Sequence, residues 1–250
     1  MSDPAAANGI SISTKNLCKR FGSGDAEVVA LNNVNITLLP GEMTLLMGPS
    51  GSGKSTMIAA LGGLQRPDSG QVIIEEKDLW ALPQKRIDAF RRELCGFVFQ
   101  NMGLFASLTA RQQILLPLQY MGYSKQECMR RADEILEEVG LASRRDSRPV
   151  QMSGGENQRV AIARMLAKEP KLIFADEPTS ALDTANGKMV VDLLHRSARL
   201  HNAMVLCVTH DPRLVGYADR ILTIEDGCIN SDERPNGTNK QRAIATGQGK

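Results

Sequence analysis

Three short stretches of this chain combine residue types that could do chemistry on phosphates. Gly48-Pro49-Ser50-Gly51-Ser52-Gly53-Lys54-Ser55 satisfies G-x-x-x-x-G-K-[ST], with Thr56 closing the run. In such a loop the glycines turn backbone N–H groups toward phosphate oxygens, Lys54 sets a point charge on the β/γ oxygens, and Ser55 offers a hydroxyl to Mg²⁺. The bland alternative is a Gly/Ser-rich turn before a helix. Asp176 and Glu177 follow the apolar run "LIFA". Two adjacent carboxylates can divide the work: Asp176 holds Mg²⁺ through its water shell, and Glu177 orients and deprotonates an attacking water. By themselves they could equally be a solvated cap after a strand. The third stretch, "MSGGENQR", places Ser153, Gly154 and Gly155 immediately before a helical run. Free N–H groups at a helix start, with glycines that permit close approach, suit an anion. One chain therefore carries two phosphate-type loops, and that duplication needs explaining.

Other residues carry weaker signals. Gln100 ends the strand-like "GFVF", from which its amide could reach Mg²⁺ or the water, or could simply finish a strand. His210 follows "AMVLCVT" and could donate to a γ-phosphate or cap the helix begun at Asp211-Pro212. Phe21 stands before the core in a chain with six Phe, three Tyr and one Trp, and reads either as an adenine-stacking ring or as core. His195 and His201 have no metal-ligand spacing and read as surface or structural residues.

The elements that must hold these residues follow from periodicity. "ISISTKNL" and "NNVNITLL" read as antiparallel strands, and the buried strand "MTLLM" runs directly into the Gly48 loop. "KSTMIAALGGL" is its helix, stopped at Gly62-Gly63. From 85 to 168 the pattern turns mainly helical, and in "SKQECMRRADEILEEVG" the residues Cys128, Ala132, Ile135, Leu136 and Val139 share one face that Gly140 ends. Apolar strands return at 171–175 and 203–209 around a helix carrying Val190, Leu193 and Leu194, which predicts a parallel α/β core. "DRILTIEDGCI" predicts a closing hairpin turned at Asp226-Gly227. The expected organisation is a nucleotide-binding domain over 1–230, with a helical subdomain inserted over 85–168, and a polar, mobile tail over 231–250.

Composition narrows the class of function. Thirty basic and 28 acidic side chains leave a formal net charge of +2, which gives no electrostatic basis for nucleic acid as the main partner. The five cysteines form no C-x-x-C pair and fit a reducing compartment. No apolar run reaches the length of a membrane span, so any membrane role is expected to come through a partner.

Taken in order, these motifs resemble the ATP-binding-cassette (ABC) ATPases over about residues 10–229. "GPSGSGKST" is similar to the family's Walker A, Gln100 to its Q-loop, "MSGGE" to its signature, "LIFADE" to its Walker B, "SALD" ending at Asp183 to its D-loop, and His210 to its switch histidine. Phe21 falls where the family places its adenine-stacking aromatic. The resemblance implies a P-loop NTPase core with an antiparallel β subdomain, ATP and Mg²⁺ as ligands, and hydrolysis of ATP with Glu177, His210, Lys54 and Gln100 at the reaction centre. It also implies a head-to-tail ATP-sandwich dimer, in which Ser153, Gly154 and Gly155 complete the partner copy's site and Asp183 lies at the junction. The stretches around Gln100 and Ser153 look most like the LolD/MacB/FtsE group. That likeness implies a subunit on the cytoplasmic face of a bacterial inner membrane, beneath an integral permease subunit, powering export or extraction of an envelope substrate such as a lipoprotein, lipid or drug-like molecule, or transmitting force. Two features depart from the commonest signature: Met152 begins it and Glu156 stands where glutamine is more frequent. A soluble ABC protein acting on DNA or ribosomes and a small-molecule P-loop kinase are the competing readings. The first lacks support in heptads or basic charge, and the second leaves "SGGENQR" and "SALD" without a role.

Overall fold

The computed structural model describes residues 9–180 and 182–235. Its first layer is antiparallel: β1 (Ile12–Phe21) pairs with β2 (Val28–Val34), with β3 (Thr37–Leu38) and, further along the chain, with β5 (Ser69–Ile74), which pairs in turn with β6 (Lys77–Asp78). The run "NNVNITLL" is thus two strands rather than one. Asn33 adopts φ +51°, and Asn35 donates to the Asn33 carbonyl at 2.8 Å, so local side-chain bonding breaks the ladder.

The second layer is a six-stranded sheet in the order β11-β10-β4-β9-β8-β7. Strands β4 (Met43–Met47), β7 (Cys95–Val98), β8 (Leu172–Asp176), β9 (Met204–Val208) and β10 (Arg220–Glu225) are parallel, and β11 (Cys228–Glu233) closes the edge antiparallel to β10. Helices α1 (Lys54–Leu61), α2 (Gln84–Glu93), α3 (Ala110–Tyr120), α4 (Lys125–Glu138), α5 (Gly154–Leu166) and α6 (Thr184–His201) complete the fold. Side chains of the central strands alternate between two cores. Ile173, Ala175, Val205 and Cys207 face the cluster that includes α3 to α6, whereas Leu172, Phe174, Leu206 and Val208 face α1 and the antiparallel layer. Being packed on both faces is why these strands read as continuous apolar runs. Phe174 is fully buried, a contribution of about 2–3 kcal/mol from its apolar surface, and it stacks on Phe97 at 5.4 Å.

The expected α/β architecture is therefore present, with two boundary corrections. Within the block from 85 expected to be mainly helical, the strand-like "GFVF" overlaps β7, which pairs with β8 and belongs to the parallel sheet rather than to the helical insertion. Only after β7 does the chain pass into the α3, α4 and α5 helices. At the other end, residues 231–233 are strand rather than tail. Asp232 there forms a bidentate ion pair with Arg220 at 2.6 Å, and Arg234 pairs with Glu42 at 2.7 Å. Residues 236–250 of the expected tail lie outside the described residues. The hairpin turn falls at Asp226-Gly227 as predicted, both with positive φ (48° and 76°), the signature of a type I′ turn.

Candidate nucleotide site

All the catalytic-type residues converge on the carboxyl ends of the parallel strands, where ligands bind in open α/β sheets. β4 leads into the Gly48–Gly53 loop, which ends at the first turn of α1. Gly53 has φ +103°, and a Cβ there would run into the Ala30 carbonyl of β2, so the loop can lie against that strand only as glycine. Gly51, by contrast, has open space where a Cβ would stand, leaving its backbone accessible.

The Lys54 ammonium donates to the Gly48 and Pro49 carbonyls at 2.8 and 2.6 Å, and has no carboxylate partner among the described residues. Held by loop carbonyls rather than by a carboxylate, the ammonium at the cleft wall is placed to meet an anionic ligand. Across the cleft, Ser55 Oγ donates to Asp176 Oδ2 at 2.7 Å, joining α1 to the end of β8. Glu177, one residue further, adopts φ +51°, a backbone state that costs about 1 kcal/mol or more in a non-glycine residue. It is held there from both sides. Its N–H donates to the Val208 carbonyl at 2.9 Å, and its own carbonyl accepts from Ser180 Oγ at 3.0 Å. His210 Nδ1 lies 2.8 Å from Glu177 Oε1. Cys207 lies in β9 close to both carboxylates; burial first, and then the charges of Glu177 and Asp176, push its thiol pKa up and keep it inert.

Lys54, Ser55, Asp176, Glu177 and His210 line one cleft of about 700 Å³ together with Phe21, Pro49, Ser50, Thr56 and Gln100. The two readings of Phe21 are thereby separated: the ring is 43% exposed at the cleft wall rather than packed in the core. His210 likewise faces Glu177 across the cleft. Val28, Ala30 and Val208 also line it, and sequence reasoning did not single them out. Nothing local marks them, because their place depends on how the antiparallel layer meets β9. Ser52 is buried beneath the loop, and its hydroxyl has no partner within the described protein.

Ser153, Gly154, Gly155 and Asp183 are absent from that cleft. Ser153 is the N-cap of α5: its Oγ accepts from Glu156 N at 3.2 Å while the Glu156 carboxylate accepts from Ser153 N at 2.7 Å, a capping box. Ser153 and Gly154 are exposed, with open space above Gly154. Asp183 caps α6 through Asn186 N at 2.9 Å, and the bonds from Asn186 hold its carboxyl below the usual carboxylate range. Arg159 of α5 bonds to the Asn186 amide oxygen, and Gln158 donates to the Pro178 carbonyl at 3.1 Å. The second anion loop is thus tied to the segment that follows the two carboxylates, yet none of its residues lines this chain's own cleft. His195 packs edge-on against Tyr217, and no group of three or more His, Cys, Asp or Glu side chains suited to a metal occurs among the described residues.

A parallel sheet with a P-loop after β4, two adjacent carboxylates at the end of β8, and a Ser-Gly-Gly helix cap outside the cleft defines a P-loop nucleotide-hydrolysing domain of the cassette type. The chain belongs to the ABC transporter family, matching it over residues 31–180. It is 43% identical over 227 residues to the macrolide export ATP-binding/permease protein MacB of Neisseria meningitidis, covering 90% of this chain and 35% of MacB. The chain thus spans about a third of that relative's length. It is 40% identical over 222 residues to the HrtA ATP-binding protein of Staphylococcus haemolyticus, whose name assigns it to hemin import, covering 88% of this chain and 99% of HrtA. Among solved structures it resembles the ATP-binding cassette MJ0796 in a dimeric post-hydrolysis state bound to ADP and Pi, with TM-score 0.85, 38% identity and coverage of 90% of this chain and 99% of that one. This chain is an ATP-binding, ATP-hydrolysing cassette, and the resemblance read from its motifs is borne out.

Proposed function

We propose that two copies of this cassette pack head to tail around ATP, and that the cycle of closure and opening drives an integral membrane subunit. The observation that carries the reading is the division of parts just described. One cleft gathers the P-loop, Asp176, Glu177 and His210, while the Ser153-Gly154-Gly155 cap, exposed at Ser153 and Gly154, lies outside it and takes a second copy to meet a phosphate. In support, the neighbouring MJ0796 cassette is described as a dimer, and MacB combines an ATP-binding region with a permease.

Within the cleft the chain's own groups take distinct tasks. Loop N–H groups and Lys54 hold the triphosphate, and Phe21 stacks on the base. Glu177, steadied by His210, accepts the proton of the attacking water, and Gln100 orients that water. Ser55 and Asp176 already meet at 2.7 Å and present two oxygen ligands of the hard type that suits Mg²⁺. When bound, that ion would neutralise charge on the β and γ oxygens. Asp183 sets the junction between the two copies by capping α6.

No described helix is long and apolar enough to cross a membrane, which fits a peripheral subunit. We place it on the cytoplasmic face of a bacterial inner membrane, in the LolD/MacB/FtsE-like group, acting in export or extraction of an envelope substrate. Contact with the membrane subunit is assigned to the segment after Gln100. Phe105 there is 53% exposed, whereas Met102, Leu104 and Leu108 are half-buried, so of these four apolar side chains one ring is presented at the surface. Gln113 holds that ring's backbone, accepting from Phe105 N and donating to Phe105 O at 2.6 Å. Sedimentation of the purified chain with and without Mg-ATP, with hydrolysis blocked, tests the dimer. A monomer under both conditions would sink the reading. Copurification from membranes tests the partner.

A further inference from the structure

Glu156 is the one acidic residue in the first turn of α5, and it directly follows the two glycines assigned to the partner's phosphate. A carboxylate there acts in two opposing ways. It favours the helix start, through the bond from Ser153 N and through the positive end of the helix dipole. It also sets a full negative charge beside N–H groups that must receive a triphosphate.

Arg144, which ends the short helical turn Ala142–Arg144, answers that conflict. Its Nε donates to Glu156 Oε1 at 2.9 Å, and the same guanidinium reaches Oε2 at 3.4 Å and the Gln151 carbonyl at 3.3 Å. One side chain thus covers both carboxylate oxygens and ties the preceding loop to the helix cap. A carboxylate so engaged by a guanidinium and by a backbone N–H is well stabilised in its charged form, and Glu156 is held down to about 2, mainly by Arg144. The charge stays, but a guanidinium matches it at hydrogen-bonding distance.

We infer that Arg144 is a positioning residue for the ATP-driven reaction: it cancels the charge of Glu156 and fixes its capping geometry so that Ser153, Gly154 and Gly155 can accept the partner's γ-phosphate. This rests on the composite-site reading above. A mere strut would matter whatever residue stood at 156. A charge-matching residue loses its importance once 156 is neutral, because glutamine can form the same capping box without the charge.

The test is a double-mutant cycle in the whole chain carrying Glu177→Gln, so that ATP is not consumed. The readout is the Mg-ATP concentration giving half-maximal dimer in sedimentation. Arg144→Ala should raise it about tenfold in the Glu156 background, and less than about twofold when Glu156→Gln is also present. Arg144→Lys, which keeps the charge with poorer geometry, should fall between, and it serves as the probe if Arg144→Ala melts early. Binding of a fluorescent ATP analogue to dilute monomer should stay unchanged throughout. Equal shifts in both backgrounds, or none in either, overturn the role of Arg144 and leave the composite site standing. Absence of ATP-dependent association in the parent chain overturns the composite site itself, and this inference with it.

Discussion

His210 Nδ1 stands 2.8 Å from Glu177 Oε1, joining the loop after β9 to the loop after β8. The contact is asymmetric in exposure. The imidazole side chain is 77% exposed and the carboxylate 14%, so the histidine reaches in from the solvent side over a carboxylate lodged at the cleft floor. His210 engages Oε1, one of the two carboxylate oxygens.

That arrangement makes Glu177→Gln the sharpest test of the chemistry. The amide keeps size and hydrogen bonding but removes the base, so phosphate release should fall about 10²–10⁴-fold while ATP binding persists and an ATP-bound dimer accumulates. His210→Ala should slow turnover without loss of binding. Near-normal turnover in Glu177→Gln would remove Glu177 from its role.

Complementation tests the two anion loops together. Lys54→Ala disables the P-loop, and Ser153→Arg places a bulky side chain over the exposed α5 cap. In a mixed dimer both lesions fall in one site and the other is intact. ATP-dependent association, absent or weak in each mutant, should partly return on mixing, measured without hydrolysis. If two folded mutants show no recovery, the Ser153 loop does not complete a partner's site.

Phe105 is the better probe of the membrane-facing surface because it alone of the four apolar residues is exposed. Phe105→Glu should leave the melting temperature and the soluble ATPase near parental values and abolish copurification with the membrane subunit. Leu108→Glu is expected to cost stability, since Leu108 is half-buried and its N–H bonds back to the Phe105 carbonyl at 3.1 Å. Intact copurification in Phe105→Glu would exclude this ring from the contact.

Acid sensitivity follows from two depressed carboxylates. Glu127, bonded by Arg130 and Arg131, and Glu156, bonded by Arg144, are each lowered from 4.5 to about 2. Because the folded pKa lies below the unfolded one, each contributes stability that is present above about pH 4.5 and lost as pH falls through about 2. Melting temperatures measured from pH 6 downward should therefore drop less steeply in Glu127→Gln/Glu156→Gln than in the parent. Parallel curves would show that the pairs do not carry this dependence.

Much of this protein was legible in its sequence because the signals that specify it are local. The P-loop pattern needs only a strand before it and a helix after it, and β4 and α1 supply both. The apolar runs that became β8 and β9 announced burial on both faces, and the Asp226-Gly227 turn was set by residues that tolerate positive φ. The break between β2 and β3 was less visible, because it depends on Asn side chains competing for the backbone. Other features were decided only by packing across the chain. Phe21 could be core or cleft until β1 met the P-loop side of the sheet, and His210 could be a helix cap until β9 lay beside β8. The separation of the Ser153 cap from the Glu177 cleft, and the pairing of Arg144 with Glu156, depend on the directions in which helices and loops leave the sheet. Local propensity fixes where an element begins and ends; which way its end points is set by the burial of its apolar face against the rest of the fold.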